Sequence, residues 1–315
     1  MIATIHILGT SSAVPTSNRF PSAQLLDFGG EMMLVDCGEG CQLQMRRQNI
    51  SLGKIRYIFI SHAHGDHFFG LIGLLSTLSV LKVDSPLDIF APASVIDVMK
   101  YQMNRLGYSL RMPIIWHELN EGFSGILWET PKAVVEAFPL HHSVPVHGFS
   151  FREKLEDRNI DPDKITLYDL SVPEIVAAKK GKNIQRENGE IIANSELTLP
   201  QHRPLKYAYC TDTTRVPKHP VIRGAHVMYH EATYLEKDRA NSDRTRHSTA
   251  RDAAQSAVDN DVEHLLIGHY SARYKRPDAL INEARDVFPN TTMAREGMRI
   301  RIDSKRNTVQ ILPHK

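Results

Sequence analysis

The sequence predicts a mixed α/β fold in two similar halves, an αββα sandwich. Three observations predict it. Short apolar runs alternate with helical periodicities along the 315 residues. The composition, 42% hydrophobic and 23% charged, is that of a globular chain and excludes disorder, coiled coil and collagen-like structure. Clustered histidines and carboxylates follow apolar strands, and an αββα sandwich gathers metal ligands at strand ends.

In the N-terminal third, residues 4–8, 23–28, 32–35 and 57–60 read as strands, the middle pair joined as a hairpin at Gly29-Gly30. Beyond His67, the residues Phe68, Leu71, Ile72, Leu75 and Leu78 recur at helical spacing, with Asp66 placed to cap that helix. Residues 87–90 and the stretches around Ile114, Ile126 and Val134 read as strands, with a helix over 93–105. From about Phe151 to Pro204 the text turns polar and mixed in sign. Residues 1–315 therefore read as a single domain carrying an inserted arm at about 151–205. Strands resume at 206–210, 227–230 and 264–267, with closing strands around Arg299 and Val309. Helices are expected over 249–258, where Thr249 and Asp252 have capping-box spacing, and over 278–287.

The balance of 38 Lys+Arg against 36 Asp+Glu, net +2, excludes a generic polyanion binder but leaves room for a local basic surface. No apolar run approaches the ~18 residues of a membrane span, and the first ten residues lack the build of a leader, so a cytoplasmic protein with no membrane partner is expected. Three cysteines, Cys37, Cys41 and Cys210, are too few for a disulfide framework.

Between Ser61 and His67 stand three imidazoles and one carboxylate: His62, His64, Asp66 and His67. Zn²⁺ prefers such ligands, and Mn²⁺ or Fe²⁺ accept them. Four ligands so close in sequence do not easily surround one ion. Assigning His62 and His64 to one metal and Asp66 and His67 to a second suggests two ions ~3.5–4 Å apart. His142, Asp212 and His269 each follow an apolar run and supply further ligands, His141 being the neighbour that competes with His142. Asp212, as a carboxylate, suits a bridging position.

HAHGDH matches the HxHxDH motif of metallo-β-lactamase-fold hydrolases. LGTSSAVPTSNR, VDCGEGCQ, PLHHSVPVHGF, KYAYCTDT, HEATY, RHSTARDAA and IGHYSARY resemble the ribonuclease Z (tRNase Z) family of tRNA 3′ processing endonucleases, in the family's order and over nearly the whole chain. The resemblance implies a metallo-β-lactamase αββα sandwich holding two Zn²⁺ per subunit. His62, His64 and His142 would bind one, Asp66, His67 and His269 the other, and Asp212 would bridge; the family motif, counted from Pro139, selects His142 over His141. It further implies that Glu231 orients His247, that His247 helps protonate the leaving 3′ oxygen, and that Asp66 accepts a proton from the attacking water. The products would be a tRNA ending in a 3′ hydroxyl and a trailer with a 5′ phosphate.

By the same resemblance the protein is a homodimer whose arm clamps precursor tRNA. Candidate RNA contacts are Lys179, Lys180, Lys182 and Arg186 in the arm, Arg244 and Arg246 beside His247, and Arg273. Two departures stand out. Ser17 occupies a loop position where many members carry a Lys associated with rejecting tRNA that already bears CCA, and the family's Gly-Pro element is not reproduced in Ser171-Val172-Pro173. Rival readings are a small-molecule phosphodiesterase, which would have no use for an arm, and a catalytically inactive RNA-binding relative, which would not need all seven ligand positions filled. Deleting residues within 174–196 is expected to weaken cleavage of precursor tRNA while sparing a small chromogenic diester; equal loss of both would mean that the deletion only misfolds the protein.

Overall fold

The computed structural model describes residues 1–107 and 110–312. The chain divides into two units, Met1–Glu153 with Leu205–Lys315, and Lys154–Pro204.

Two sheets make the larger unit. The first runs in the order Thr308–Leu312, Arg299–Asp303, Ile2–Gly9, Ala23–Phe28, Glu31–Val35, Ile55–Phe59, Leu87–Ala91, Ile114–Glu118. The second runs Thr291–Met293, His264–Gly268, Val227–Glu231, Lys206–Cys210, Val146–Glu153, Ala133–Leu140, Gly125–Glu129. Each sheet joins antiparallel strands to a parallel run, at Glu31–Val35 onward in the first and from Lys206–Cys210 to Thr291–Met293 in the second. Alternating apolar side chains give each sheet a face to bury, and the two faces meet in a shared core that includes Ile5, Phe28, Phe59, Phe149, Phe151 and Tyr207. There the Phe59 ring stacks on Phe90 at 4.8 Å and meets Phe149 and Phe151 at 5.7 and 5.6 Å. Helices Leu71–Val80 and Ala93–Arg105 cover the outer face of the first sheet, and Ala250–Asp259 and Asp278–Arg285 that of the second. The layers are αββα. No helix among the described residues is long and apolar enough to cross a membrane.

Two local expectations are corrected. The helix expected after His67 is two helices, Gly65–Phe68 and Leu71–Val80, and Asp66 lies inside the first instead of capping the second. The break has a steric cause: Gly70 donates its N–H to the Cys37 carbonyl at 2.9 Å, and a Cβ at Gly70 would stand 2.2 Å from the Gly38 oxygen. Strand Val146–Glu153 was not anticipated, because its buried His147, Ser150 and Glu153 make the text look polar. Buried Glu153 is paired with the amino terminus of Met1 at 3.1 Å.

The smaller unit has its own core of Leu170, Ala178, Ile184, Ile192 and Leu197 beneath helices Pro162–Leu167, Val172–Lys179 and Asn194–Leu197 and the hairpin Ile184–Gln185/Ile191–Ile192. Ser171 and Glu174 form a capping box that starts the second helix. A core of five buried side chains leaves no long apolar run, which is why this stretch reads as polar.

Phe149 is fully buried between the sheets. Phe149→Ala is expected to lower stability by about 3–5 kcal/mol, measured as the shift in urea midpoint at constant slope. A loss under about 1 kcal/mol would contradict close packing at that position.

Candidate metal centre

Strand ends assemble the site. His62 follows Ile55–Phe59, His142 follows Ala133–Leu140, Asp212 follows Lys206–Cys210 and His269 follows His264–Gly268, while the short helix Gly65–Phe68 supplies Asp66 and His67. One ligand atom from each of His62, His64, His142 and Asp212 lies within 4.8 Å of the others, and Asp66, His67 and His269 meet the same limit. Asp212 joins the groups: its Oδ2 is 3.5 Å from His62 Nε2 and 3.8 Å from His142 Nε2, and its Oδ1 is 3.2 Å from His67 Nε2 and 3.1 Å from His269 Nε2. His141 is exposed and outside these groups.

The donor set fits cations. Nε2 of His62, His67, His142 and His269 is buried without a hydrogen bond, a costly state for polar atoms unless a further group satisfies them. The opposite ring nitrogens are all held. His67 Nδ1 meets Asp36 Oδ2 at 2.7 Å, His142 Nδ1 meets the Arg246 carbonyl at 2.9 Å, His62 Nδ1 meets Ser61 Oγ at 2.9 Å and His269 Nδ1 meets Thr233 Oγ1 at 3.0 Å. A carbonyl only accepts, so His142 carries its proton on Nδ1 and offers the Nε2 lone pair. Metal-binding histidines are presented in this way.

The charge balance points the same way. Burial disfavours charge on His67, yet the carboxylates of Asp212, Asp66 and Asp36 outweigh it and hold the ring basic, well above its usual range. Burial would raise Asp212, but His269, His67 and His62 hold it well below the usual carboxylate range. Burial likewise opposes the charge on Asp66, which His67 and His269 hold well below that range. His62, with burial dominant, is pushed down to about 4 and stays neutral.

Beside this cluster lies a second pair, Glu231 and His247, of which His247 opens onto a cavity of about 550 Å³ that is also lined by Ala13, His64, Asp66, Phe69 and Asp212. Glu231 is fully buried and accepts from the Thr213 N–H at 2.7 Å, Thr233 Oγ1 at 2.5 Å and His247 Nδ1 at 2.7 Å. Burial lowers His247, but the Glu231 carboxylate prevails and raises it to about 9.

Asp36 and Thr233 were missed in the sequence. Asp36 is buried and accepts from the Ser61 N–H at 2.8 Å, Ser61 Oγ at 3.0 Å and Tyr209 OH at 2.8 Å, besides holding His67. Its one signal is an acid closing an apolar strand. Asp36, Asp212 and His269 all take left-handed backbone, with φ of 54°, 34° and 58°. Strained positions of this kind collect at functional sites.

The expected RNA contacts divide. Arg246 donates Nη1 to the His142 carbonyl at 2.9 Å, so its guanidinium braces the loop that carries His142. Arg244 is exposed, and Arg273 pairs with Asp238 at 3.2 Å above the Tyr234 ring. In the smaller unit Lys179, Lys180 and Lys182 are exposed, while Arg186 is engaged by the Tyr168 carbonyl and by Glu174.

A family profile described as anti-Pycsar protein Apyc1 matches residues 3–109. The ribonuclease Z of Bacteroides fragilis is 38% identical over 295 residues, 93% of this chain and 97% of that protein. Among solved structures, human tRNase Z, short form, superimposes with a TM-score of 0.66 at 25% identity, covering 94% of this chain and 98% of that one. A diphosphatase of the PhnP family shares the fold at a TM-score of 0.63 and 17% identity, covering 96% and 98%.

Asp36→Asn removes the negative charge beside His67 and turns one of the two acceptor oxygens, which between them hold Ser61, His67 and Tyr209, into a donor. It is expected to weaken metal retention by about 10–100-fold, read as metal content after dialysis against graded chelator. Wild-type retention in the folded variant would contradict the role given to Asp36.

Proposed function

Because the chain belongs to the ribonuclease Z family, we propose that it is a metal-dependent endoribonuclease that removes the 3′ trailer from precursor tRNA and leaves a 3′ hydroxyl on the tRNA. One observation carries the reading at this chain's own residues: four buried Nε2 atoms without hydrogen bonds converge with two carboxylates beside the Glu231–His247 pair.

In this reading His62, His64 and His142 would hold one Zn²⁺ and Asp66, His67 and His269 the other, with Asp212 available to both. Mn²⁺ or Fe²⁺ suit the same donors. When bound, such a pair of ions lowers the pKa of an attacking water and offsets charge developing on the phosphoryl oxygens. The chain's own groups handle the protons. Asp66 is fixed by the Ala13 N–H at 2.8 Å and lines the cavity, which places it to take the proton of the attacking water. With Nδ1 committed to Glu231, His247 can deliver a proton from Nε2 to the departing ribose oxygen. Glu231 holds the ring and its charge; three further hydrogen bonds keep Glu231 itself in place.

The arm, Lys154–Pro204, is proposed to grip the body of the precursor through Lys179, Lys180 and Lys182, in a homodimer where it serves the partner's site. A diester small enough to enter the cavity would bypass the arm.

The direct test is cleavage of an end-labelled precursor with a 3′ trailer, mapped at nucleotide resolution with and without chelator. A chelator-sensitive cut immediately 3′ of the discriminator nucleotide is expected. An intact precursor from enzyme that still hydrolyses a simple phosphodiester would overturn the tRNA reading in favour of a small-molecule phosphodiesterase.

The raised His247 gives a signed pH dependence. Its acid form prevails below about 9 and is lost above it, so kcat is expected to fall as pH rises through that value. His247→Ala is expected to cost about 10²–10⁴-fold in kcat and to abolish that alkaline limb. Persistence of the limb in the variant would assign it to another group.

A further inference from the structure

Behind the loops that face the metal cluster lies a second cavity of about 470 Å³, whose lining includes Asn18, Arg19, Tyr270, Lys275, Arg276 and Arg295. Its charge is one-sided. Arg19 is only 7% exposed. Its Nη2 donates to the Tyr274 carbonyl at 3.0 Å, its Cζ lies 6.0 Å from the centre of the Tyr270 ring, and its Nη1 is buried without a partner. No carboxylate pairs with it among the described residues. A guanidinium keeps its charge in any protein environment, so a buried one without a counter-ion is costly. The side chains of Lys275, Arg276 and Arg295 are exposed at the rim, and among the described residues none makes an ion pair or hydrogen bond.

Two carboxylates also line the cavity, Asp278 and Glu296. Glu296 is occupied: one oxygen accepts from the Thr10 N–H at 3.0 Å, Thr10 Oγ1 at 2.8 Å and the Phe20 N–H at 3.1 Å. Asp278 opens helix Asp278–Arg285. Four cations thus face two carboxylates, one of them engaged with the loop backbone.

The cavity's walls belong to the metal cluster as well. Tyr270 directly follows His269, and the loop that carries Arg19 also carries Ala13, whose N–H holds Asp66 at 2.8 Å. A ligand seated here would touch Tyr270, next to His269, and the loop whose Ala13 N–H holds Asp66. Clustered Arg and Lys without partners select oxyanions, phosphate above all.

We propose that this cavity is a phosphate site that takes a phosphodiester of the substrate strand flanking the one that is cut. The inference rests on the reading of the protein as an RNA-cleaving enzyme. It assigns work to Arg19, Lys275, Arg276 and Arg295, none of which belongs to the metal cluster.

The test is a charge scan. Each phosphate within a few nucleotides of the cut is replaced singly by a neutral methylphosphonate, and KM is measured for the wild type and for Lys275→Ala/Arg276→Ala. Both substitutions sit at exposed positions, and melting temperature checks that the fold is kept. The wild type should show a KM penalty of about tenfold at one position, and the double variant should carry that penalty on the unmodified precursor with nothing added by the methylphosphonate there. Its KM should also depend less on salt, by about 0.7 in the logarithmic slope, from the one phosphate no longer neutralised on single-stranded RNA. Arg295→Ala, on a separate segment of the lining, should reproduce the loss at the same position. If the wild type cleaves the precursor but no position loses its penalty in either variant, the proposal is wrong and the RNA reading stands. If the wild type cleaves no precursor, the RNA reading falls and takes the strand phosphate with it. Calorimetric titration with pyrophosphate then decides what is left: binding that disappears in the double variant assigns the cavity to a free phosphate compound, and no binding to the wild type removes the phosphate site altogether.

Discussion

Buried negative charge at the seam of the two sheets is the constraint on which the rest of the site depends. Asp36, Asp66 and Asp212 are gathered around His67, and Asp36 and Asp212 are all but removed from water. Carboxylates in such a place require partners of opposite charge. Histidines meet part of that need, and the Nε2 atoms left without hydrogen bonds mark where the remainder has to come from. The backbone gives way to this arrangement. Three of the residues that build it accept left-handed φ, and glycines at 38 and 70 let the turn after Asp36 approach the loop of Asp66 to distances at which a Cβ would collide.

The metal cluster and the acid pair are joined through short, direct bonds. Thr233 Oγ1 bonds Glu231 and contacts His269 Nδ1, so one hydroxyl links the group that orients His247 to a proposed metal ligand. On the other side His142 donates to the Arg246 carbonyl, and the Arg246 guanidinium returns a bond to the His142 carbonyl at 2.9 Å. Arg246 immediately precedes His247. Through these two links both proposed ligand histidines are tied to the residue proposed to protonate the leaving group. Substitutions across such a network combine non-additively.

Legibility in the sequence followed the range of the interaction. His62, His64, Asp66 and His67 declare themselves because donors are packed into six residues, and His142, Asp212 and His269 because each ends an apolar run. Asp36 acts on His67 across 31 residues of chain, and nothing near Asp36 announces that contact. Local pattern likewise matches the kind of element over much of the larger unit, including the Thr249 cap, but it does not signal helices Cys41–Arg47 and Arg239–Thr245 or the short strand Thr291–Met293. It failed where tertiary contacts override local signals: at Gly70, where a close approach splits a helix, and along Val146–Glu153, where buried polar groups disguise a central strand. Arg246 looked like a surface cation, and its bracing role depends on a carbonyl 104 residues away. The smaller unit hid its core because so few side chains are needed to fill it.

The central claim is that these seven residues hold two metal ions with Asp212 between them. Zinc K-edge absorption on the loaded protein tests it most directly, through metal content together with metal–metal scattering. The account predicts two equivalents per chain and a metal–metal distance of about 3.5–4 Å that is absent from Asp212→Ala. A single equivalent in the folded wild type, or an unchanged metal–metal distance without Asp212, would contradict it.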